Sequence, residues 1–456
     1  MPNPKDTTDA KAFSDLKVER FAHGGVGVAR TASGQVCFIP KTAPGDRVEA
    51  NLVRMKKRFA TLELVRIIEP SPERVAAPCP YFLHCSGCAY QHLRDADQVK
   101  AKAQVLDETL ARYLPGRSFV TEPVVAAQQT TWYRNRISLH LERGALGFVD
   151  SVLSQHVPIE RCLLATATIH EMLDKVQPWL HGSGQALAPF IENVTLRSSA
   201  HQNMGMAILV TRAGAEAAFM RSQKAQIAHH RSLVDLAHAM EGHSLYVSLR
   251  HVEAGTPVQV LAHVAGPRYL EEKIGPYVLR ISPDAFFQNH RGQAEKLYRR
   301  VQAEVDRRQA RSILELYSGI GALTHFLAGA GRSVLAIESN GGAVADAKSS
   351  AAHNNLSGVE FLESSVEHAA SIVKSLATVF DLAVINPPRT GCTLKAIDVL
   401  ARSQIKSLLY ISCAPATLTR DIVALEAHGF HLHRIVPFDM FPQTWHLETL
   451  AILERT

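Results

Sequence analysis

The sequence lacks long apolar runs, and this absence restricts what the protein can be. None of its 456 residues form a run of about 18 apolar side chains, and the first ten, MPNPKDTTDA, are polar. The sequence therefore predicts neither a membrane span nor a secretory signal, and we expect a cytoplasmic protein. Aromatic residues make up only 7% of the chain, but its 46% of apolar residues are ample for packed cores and exclude global disorder.

A strong charge of either sign is also lacking. Lys and Arg number 49 against 43 Asp and Glu, which gives a formal net charge of +6 at pH 7. This mild positive balance favours a polyanion as the partner over a membrane or an acidic protein. The length corresponds to about two to four domains.

Cysteine is scarce, and its seven residues are an odd number that argues against a disulfide framework in a cytosolic chain. Cys79, Cys85 and Cys88 nevertheless lie within ten residues of one another, and Cys162 follows downstream. Four thiols can bind zinc or an iron–sulfur cluster. Because structural zinc sites usually pair their cysteines two and two, the three-plus-one spacing favours the cluster.

Turn residues divide the N-terminal part of the chain. Residues 1–13 are polar and predict a flexible tail. Residues 14–70 contain short β-branched runs separated by turns such as Gly24-Gly25, which is typical of a small β-barrel. The barrel sequence includes a basic stretch formed by Arg54, Lys56, Lys57 and Arg58. This stretch indicates either a solvated strand face or a nucleic-acid-binding surface.

A central domain is predicted from residue 71 to residue 282. It begins with a proline-rich linker that leads into the three clustered cysteines. Helical spacing of apolar residues predicts a helix over 94–113, which we expect to pack on the C-terminal domain. Strands and helices are mixed in the remainder, so we predict an α+β domain that carries the metal site.

Residues 283–456 alternate between predicted strands and helices. The predicted strands are 312–317, 334–338, 359–362, 382–386, 407–412, 431–438 and 449–453. The alternation predicts an α/β domain with a doubly wound, Rossmann-like parallel sheet, whose ligands bind at the carboxyl ends of the strands.

The first strand of this domain ends in a glycine-rich turn. Gly319 and Gly321 precede a predicted helix over 322–330, so the backbone can approach a ligand closely. Glu338 ends the next strand, where a carboxylate can hold the hydroxyls of a ribose. The third glycine of a dinucleotide fingerprint is missing, and a plain tight turn would also explain the other two. The whole pattern favours a cofactor that contains a nucleoside. S-adenosylmethionine is favoured over NAD.

Three more residues with chemically useful side chains lie at strand ends. Asn386 precedes two prolines and marks either a structural turn or an amide directed into the cleft. Cys413 is either a small buried hydrophobe or a nucleophile, and its position favours the nucleophile. Glu448 follows aromatic residues, which could raise its pKa as a general base requires; otherwise it is an exposed acid without a role.

These motifs, in this order, resemble the RNA uracil-5 methyltransferases that carry an iron–sulfur cluster, the RumA-type ribosomal RNA enzymes and the related transfer RNA enzymes. The resemblance extends from residue 14 to residue 453 and includes Tyr133-Arg134-Asn135 and the segment 282–288. It implies an N-terminal TRAM domain and a C-terminal class I methyltransferase domain. It also implies three sets of site residues: Gln288, Tyr317, Glu338 and Asn386 for S-adenosylmethionine, Cys413 and Glu448 as nucleophile and base, and Cys79, Cys85, Cys88 and Cys162 for a 4Fe-4S cluster.

The sequence departs from the family at three positions. His290 stands where Asn is frequent, Ala322 where the ribosomal enzyme has Asn, and Asn386 where most members have Asp.

The resemblance implies methylation of a uridine C5 in 23S ribosomal RNA, by a monomer, through a Cys413 adduct at C6. The base must be extruded from the RNA, and Phe286 or Phe287 could offer it a stacking face. Three alternatives stay open at this point. They are a transfer RNA uracil-5 methyltransferase, a cytosine-5 methyltransferase with the same covalent chemistry, and an iron–sulfur RNA-binding protein without catalysis.

Overall fold

The computed structural model describes residues 12–150, 153–215, 223–253, 256–329, 331–369, 380–403 and 405–455. The chain divides into two compact units. The first unit extends to Glu108 and also includes Phe148–Val157 and Phe441–His446, and the second contains the remainder. In the described part of the chain, no helix has the length and apolar character needed to cross a membrane.

The first unit contains the predicted barrel. Its five strands are β1 (Ala12–Ala22), β2 (Val26–Arg30), β3 (Val36–Ile39), β4 (Arg47–Met55) and β5 (Phe59–Glu69). They form a closed barrel in the order β1-β2-β3-β5-β4. Alternate side chains, such as Val18, Ile39 and Leu62, fill its core.

The tail prediction was wrong for its last two residues. Ala12 and Phe13 belong to β1, and Phe13 packs against the barrel core, because burial of its ring favours strand pairing over disorder. The other predicted tail residues, 1–11, lie outside the described residues.

A buried carboxylate closes one corner of the barrel. Asp46, whose side chain is fully buried, accepts hydrogen bonds from the backbone of Ala43 at 2.7 Å and of Ser71 at 2.8 Å. It also forms an ion pair with Arg74, with 2.6 Å between Nη2 and Oδ2. The carboxylate therefore ties the barrel to the linker that follows it.

Helix α1 (Asp95–Tyr113) agrees with the predicted helix to within one residue. Within the first unit, Gln98 of α1 exchanges hydrogen bonds with Gln443, at 2.9 Å between their side chains and at 3.0 Å from the Gln443 backbone. The segment Phe441–His446, which lies inside the predicted methyltransferase domain in sequence, thus groups with the first unit.

The central region supplies a mixed seven-stranded sheet and a hairpin. The sheet has the order β13-β12-β11-β10-β7-β8-β9. After a two-residue strand β6 (Val120–Thr121), its strands are β7 (Arg136–Glu142), β8 (Ala145–Val149), β9 (His156–Pro158), β10 (Ile191–Ser199), β11 (Met204–Thr211), β12 (Ser244–Glu253) and β13 (Thr256–Ala265). The helices are α2 (Ala167–His181) and α3 (Gln223–Ala239), and the hairpin is β14 (Leu270–Ile274) and β15 (Tyr277–Ile281).

The C-terminal region forms the predicted α/β fold of a class I methyltransferase. Its eight-stranded sheet has the order β18-β17-β16-β19-β20-β22-β21-β6. The strands are β16 (Ser312–Leu316), β17 (Ser333–Glu338), β18 (Val359–Glu363), β19 (Leu382–Ile385), β20 (Ser407–Ser412), β21 (Phe430–Phe438) and β22 (Glu448–Arg455). The helices are α4 (Arg291–Arg307), α5 (Thr324–Leu327), α6 (Gly341–His353), α7 (Leu394–Arg402) and α8 (Pro415–Glu426).

The sheet differs from the sequence expectation in three details. It is not wholly parallel, because β22 pairs antiparallel with both β20 and β21. The short β6, which sequence analysis missed, adds an edge strand next to β21. The helix expected over 322–330 is regular only in α5, and Gly329 adopts a left-handed φ of 90° soon after its end.

We predict that Asp46→Ala destabilises the first unit by about 3 kcal/mol, because it leaves the Arg74 cation without its partner. Burial alone would raise the pKa of Asp46, but the hydrogen bonds from Arg74, Ala43 and Ser71 lower it below the ordinary value of 3.8. The stabilisation is therefore present above pH 3.8 and lost as the pH falls through the folded pKa. Urea unfolding measures the loss.

The matched control is Glu69→Ala, which removes an exposed ion pair with Arg47 on the same barrel. We expect it to leave the free energy of unfolding nearly unchanged. Equal losses for the two variants would contradict the role assigned to Asp46.

Candidate active site

Five of the residues expected at the site come together at one edge of the C-terminal sheet. Tyr317 follows β16, Glu338 ends β17, Asn386 follows β19 and Cys413 follows β20, all on parallel strands. Glu448 is the first residue of β22. Because β22 runs antiparallel to β20, its beginning lies at the carboxyl ends of the parallel strands.

Strand register makes Cys413 and Glu448 neighbours. Ser412 pairs with Thr449, so the next position along each strand brings Cys413 opposite Glu448. Cys413 is half-buried; burial and then the charge of Glu448 raise the pKa of its thiol. The Glu448 side chain is buried, and burial raises its pKa to about 8. Both shifts favour the neutral, protonated forms of the two groups near neutral pH.

Sequence analysis missed Arg389 as a site residue. Its side chain hydrogen-bonds with Cys413, and its charge lowers the pKa of both Cys413 and Glu448, opposing burial. The hydroxyl of Thr417 in α8 donates to the Arg389 carbonyl at 3.2 Å and holds the loop. The signal in the sequence was a cation three residues after Asn386, in a loop stiffened by two prolines.

The glycine-rich turn after β16 borders open space. Tyr317 adopts a left-handed φ of 63°, which is rare for a bulky residue and marks a constrained turn. A Cβ added to Gly319 would meet no atom within 4 Å, whereas one on Gly321 would lie 3.0 Å from the Phe361 ring. Gly319 is therefore the point where a ligand can approach the backbone, and Gly321 is needed for packing.

Glu338 is fixed beside this turn by backbone donors. Its Oε2 accepts from the Gly319 N–H at 2.9 Å, and its Oε1 accepts from Ser339 and Asn340, each at 2.8 Å. These bonds hold the carboxylate at the edge of the open space, where the ribose contact stays a prediction.

Gln288 lies in a segment that is shaped by two motifs of the central region. Its side chain is buried, and its carbonyl accepts from the Asn135 side chain at 2.9 Å. The Tyr133 ring stacks on His290, with 4.6 Å between centroids. Tyr133-Arg134-Asn135 therefore acts by shaping the Gln288 segment.

Arg197 was also missed by sequence analysis. It is buried, donates to the Ser282 carbonyl at 2.8 Å, and also binds the carbonyls of Pro283 and Ala285. Burial lowers the pKa of its guanidinium to about 9.

Of the two aromatic residues expected to offer a stacking face, Phe286 is 59% exposed and Phe287 is buried. The expectation for Phe287 was therefore wrong, because its ring is used for packing.

The four cysteines expected to bind metal belong to two units. Cys79, Cys85 and Cys88 lie in the first unit, and all three thiols interact electrostatically with the Lys41 ammonium. Cys162 lies in the second unit, before α2. Within the described residues, no three His, Cys, Asp or Glu side chains form a group that could hold a metal ion. The cluster site thus stays a prediction.

We predict opposite effects of two substitutions on the reactivity of Cys413. Arg389→Met removes a positive charge and should raise the pKa of the thiol, whereas Glu448→Gln removes a negative charge and should lower it. The measurement is the pH dependence of alkylation by iodoacetamide, followed by peptide mass spectrometry. Cys392 is an internal reference, because burial raises its pKa to about 12 and should keep it unreactive. Unchanged profiles in both variants would contradict the geometry.

Comparisons with known proteins show the family to which the chain belongs. A family model described as tRNA (Uracil-5-)-methyltransferase matches residues 96–456, and a TRAM domain model matches residues 14–65. A protein of Protochlamydia amoebophila named as an RNA methyltransferase is 31% identical over 444 residues, 96% of this chain and 97% of its own. One of Gloeobacter violaceus with a similar name is 28% identical and is matched over 96% of its length.

A solved structure is similar over nearly the whole chain. It is the tRNA (uracil-54, C5)-methyltransferase of Pyrococcus abyssi in complex with S-adenosyl-L-homocysteine. The TM-score is 0.73 at 25% identity, and the match covers 96% of this chain and 99% of that one. The family match and the identity to the Protochlamydia protein show that this chain belongs to the S-adenosylmethionine-dependent RNA uracil-5 methyltransferases.

Proposed function

We propose that the protein methylates C5 of a specific uridine in a structured RNA through a covalent adduct between Cys413 and C6 of the base. The observation that carries the proposal is the pairing of a half-buried thiol with a buried carboxyl, next to the Arg389 cation. Uracil C5 is too weak a nucleophile to take a methyl group unaided, so the enzyme must activate it first.

The chemistry uses two residues of the chain. The Cys413 thiolate adds to C6, which forms a C–S bond and leaves the electron pair of the 5,6 double bond on the enolate. C5 can then accept the methyl group that S-adenosylmethionine supplies when bound. Glu448 removes the C5 proton, the 5,6 double bond forms again, and the thiolate leaves. Arg389 favours the thiolate, since its positive charge lies beside the sulfur.

The cofactor would occupy the open space at Gly319. In this proposal Gln288, Tyr317, Glu338 and Asn386 bind it, with the Glu338 carboxylate on the ribose hydroxyls. Asn386 differs from Glu338 in that its amide can both donate and accept, which suits contact with either the cofactor or the extruded base. Phe286, which is exposed, can stack on a base.

Two substitutions should separate the chemical steps. Cys413→Ala should abolish methyl transfer while S-adenosylmethionine binding stays nearly intact, because the thiol acts on the base. Glu448→Gln should instead accumulate a methylated covalent protein–RNA complex that survives denaturing electrophoresis, because nothing removes the C5 proton. The control is Cys37→Ala in the barrel core, which should turn over normally. Normal turnover by Glu448→Gln would show that the assigned base is wrong.

The RNA class of the substrate has two candidates. We predict 23S ribosomal RNA, because the TRAM barrel and the four cysteines resemble the ribosomal branch of the family. The tRNA (uracil-54, C5)-methyltransferase of Pyrococcus abyssi matches nearly the whole chain and supports transfer RNA as the second candidate. Overall architecture therefore does not discriminate between the two RNAs.

The barrel offers a basic surface for either RNA. Arg54, Lys56, Lys57 and Arg58 are all exposed. The Lys56 ammonium lies 5.4 Å from the centroid of the Phe59 ring, which packs edge-on against Phe38. Exposed cations beside an aromatic pair suit phosphates and unpaired bases.

We expect purified 23S RNA from a strain lacking the enzyme to accept methyl groups, and transfer RNA from that strain not to. Incorporation only into transfer RNA would overturn the ribosomal assignment, and 5-methylcytidine as the product would overturn the uracil assignment. Failure to methylate any bulk RNA would favour a non-catalytic RNA-binding protein.

Charge reversal at Lys56 and Lys57 should weaken RNA binding and flatten its salt dependence. The modified uridine should not change, because phosphate contacts position an RNA without specifying its sequence. A change of site in the double variant would contradict a phosphate-binding role.

We further propose that Cys79, Cys85, Cys88 and Cys162 bind a 4Fe-4S cluster, in a protein that acts as a cytoplasmic monomer. What supports the proposal is the three-plus-one spacing of the cysteines, together with a hydrogen bond from the Gly87 N–H to Cys85 Sγ at 3.4 Å, a kind of contact that ligating sulfurs accept. The cluster has no redox step to perform in this reaction, so its role is structural or in RNA docking.

Anaerobically purified protein should be brown and contain about four irons per chain. Cys79→Ala should lose the colour, whereas Cys392→Ala should keep it. Stoichiometric zinc without visible absorbance would contradict the cluster.

A further inference from the structure

Arg389 is exposed, so burial does not hold its guanidinium beside Cys413. A long exposed side chain keeps one position only if the backbone that carries it is fixed. That backbone is a loop between β19 and α7, which continues from Arg389 to Cys392. Gly391 adopts a left-handed φ of 77° in this loop, and its N–H donates to the Pro388 carbonyl at 2.8 Å. The place of the cation therefore depends on how this tight turn is anchored.

A buried carboxylate of α8 anchors the end of the loop. The Asp421 side chain is 1% exposed, and its Oδ2 accepts from the Cys392 backbone N–H at 2.8 Å and from the Tyr410 hydroxyl at 2.6 Å. Its Oδ1 accepts from Arg420, at 2.6 Å from Nη2 and 2.8 Å from Nε. Hydrogen bonds to both oxygens fix the carboxylate in one position. The titratable groups that interact with it include Arg420, Tyr410, Cys392 and Tyr317.

Neighbouring side chains of α8 hold the rest of the loop. The Arg420 guanidinium donates to the Thr390 carbonyl at 2.8 Å. The Thr417 hydroxyl, one turn earlier in the helix, donates to the Arg389 carbonyl at 3.2 Å. A Cβ on Gly391 would collide with side chains of the helix, so the glycine permits this close contact between loop and helix.

Helix α8 also begins two residues after Cys413. The three side chains that hold the loop, Thr417, Arg420 and Asp421, are spaced three and four residues apart and therefore share one face of the helix. One rigid element thus carries the thiol before its first turn and the Arg389 loop on its side. This arrangement fixes the cation relative to the sulfur.

We infer that helix α8 positions the Arg389 guanidinium beside the Cys413 thiol, and that Asp421 is the positioning residue that anchors the loop for this purpose. The inference deepens the proposed function and rests on it in one respect, the role of Cys413 as the nucleophile. The Asp421 carboxylate is buried between the helix and the loop, so it acts through Arg389 and not on the RNA base. The charged side chains that act on the thiol are Arg389 and Glu448.

The sign of the effect on the thiol separates this role from a direct charge effect. By charge alone, removal of the Asp421 carboxylate would lower the pKa of a nearby thiol. Displacement of the Arg389 guanidinium should instead raise the pKa of Cys413, because the positive charge that opposes burial and Glu448 is weakened. Asp421→Asn should therefore raise this pKa although it removes a negative charge.

The measurement is the pH dependence of Cys413 alkylation by iodoacetamide in full-length variants, with the buried Cys37 as an unreactive reference. Asp421→Asn should move the midpoint to higher pH and slow alkylation at pH 7 by about fivefold, since less thiolate is present. Thr417→Val removes one tie of the loop without any change of charge, and should shift the midpoint in the same direction by less. The matched control is Asp398→Asn, which breaks an exposed ion pair in α7 and should leave the profile unchanged.

Two further variants show whether Asp421 acts through Arg389. In an Arg389→Met background the cation is already absent, so the addition of Asp421→Asn should not raise the midpoint further. Tyr410→Phe removes one hydrogen bond from the same carboxylate without touching the loop. It should lower the free energy of unfolding and leave the alkylation profile close to that of the wild type.

A midpoint that falls or stays constant in Asp421→Asn would overturn the inference. A further rise in the double variant, or an equal rise in Tyr410→Phe, would also overturn it, because the shift would then come from general loosening of the domain. Should Asp421→Asn not fold, Thr417→Val decides, and an unshifted midpoint in that variant would count against the inference. The assay needs neither RNA nor methyl transfer, so full activity of Cys413→Ala would disprove the proposed function and leave the alkylation result unchanged.

Discussion

The candidate active site depends on one constraint, the antiparallel insertion of β22 between β20 and β21. In an all-parallel sheet the last strand would begin at the opposite edge, remote from the ligand-binding end. Because β22 is reversed, its first residue, Glu448, lies at the carboxyl ends of the parallel strands, opposite Cys413. Residues 35 positions apart are thereby brought into one electrostatic pair, and the covalent chemistry proposed for the enzyme follows from this pairing.

Burial and the positive charge of Arg389 then shift the pKa values of Cys413 and Glu448 in opposite directions. Glu448 is almost wholly enclosed by the sheet, which raises its pKa and favours the neutral acid. Arg389 opposes this effect at both groups, and its loop is stiffened by prolines. A carboxyl with a pKa of about 8 is suited to exchange a proton near neutral pH, as a general base must. The first unit uses buried charge differently: Asp46 and Arg74 form an ion pair, whereas the Lys41 ammonium donates to the backbone carbonyls of Cys85 and Cys88.

Much of the fold was predictable because periodicity and turn chemistry act locally. The strands β16 to β22 lie within two residues of the predicted ones, and the barrel and α1 were found from alternation and helical spacing. The failures have local causes as well. Phe13 is predicted to lie in the tail because its neighbours in the sequence are polar. Strand β6 has only two residues, which is too short to show a periodic pattern. The helix after Gly321 has only four residues, because turns lie on both sides of it. The family was confirmed, whereas the roles of the site residues stay predictions.

The sequence by itself determined the chemistry available to this protein: a thiol and a carboxyl after strands, a glycine turn followed by an acid, and clustered cysteines. Each is a short motif whose meaning depends on a few adjacent residues. Only the tertiary structure decided that Arg389 lies beside Cys413, that Arg197 fixes the segment of Gln288, and that the Lys41 ammonium donates to the carbonyls of the cysteine loop. The physical reason is that an isolated Arg or Lys in a sequence resembles any solvated charge. Its function depends on burial and on partners that are distant along the chain, which folding alone brings together.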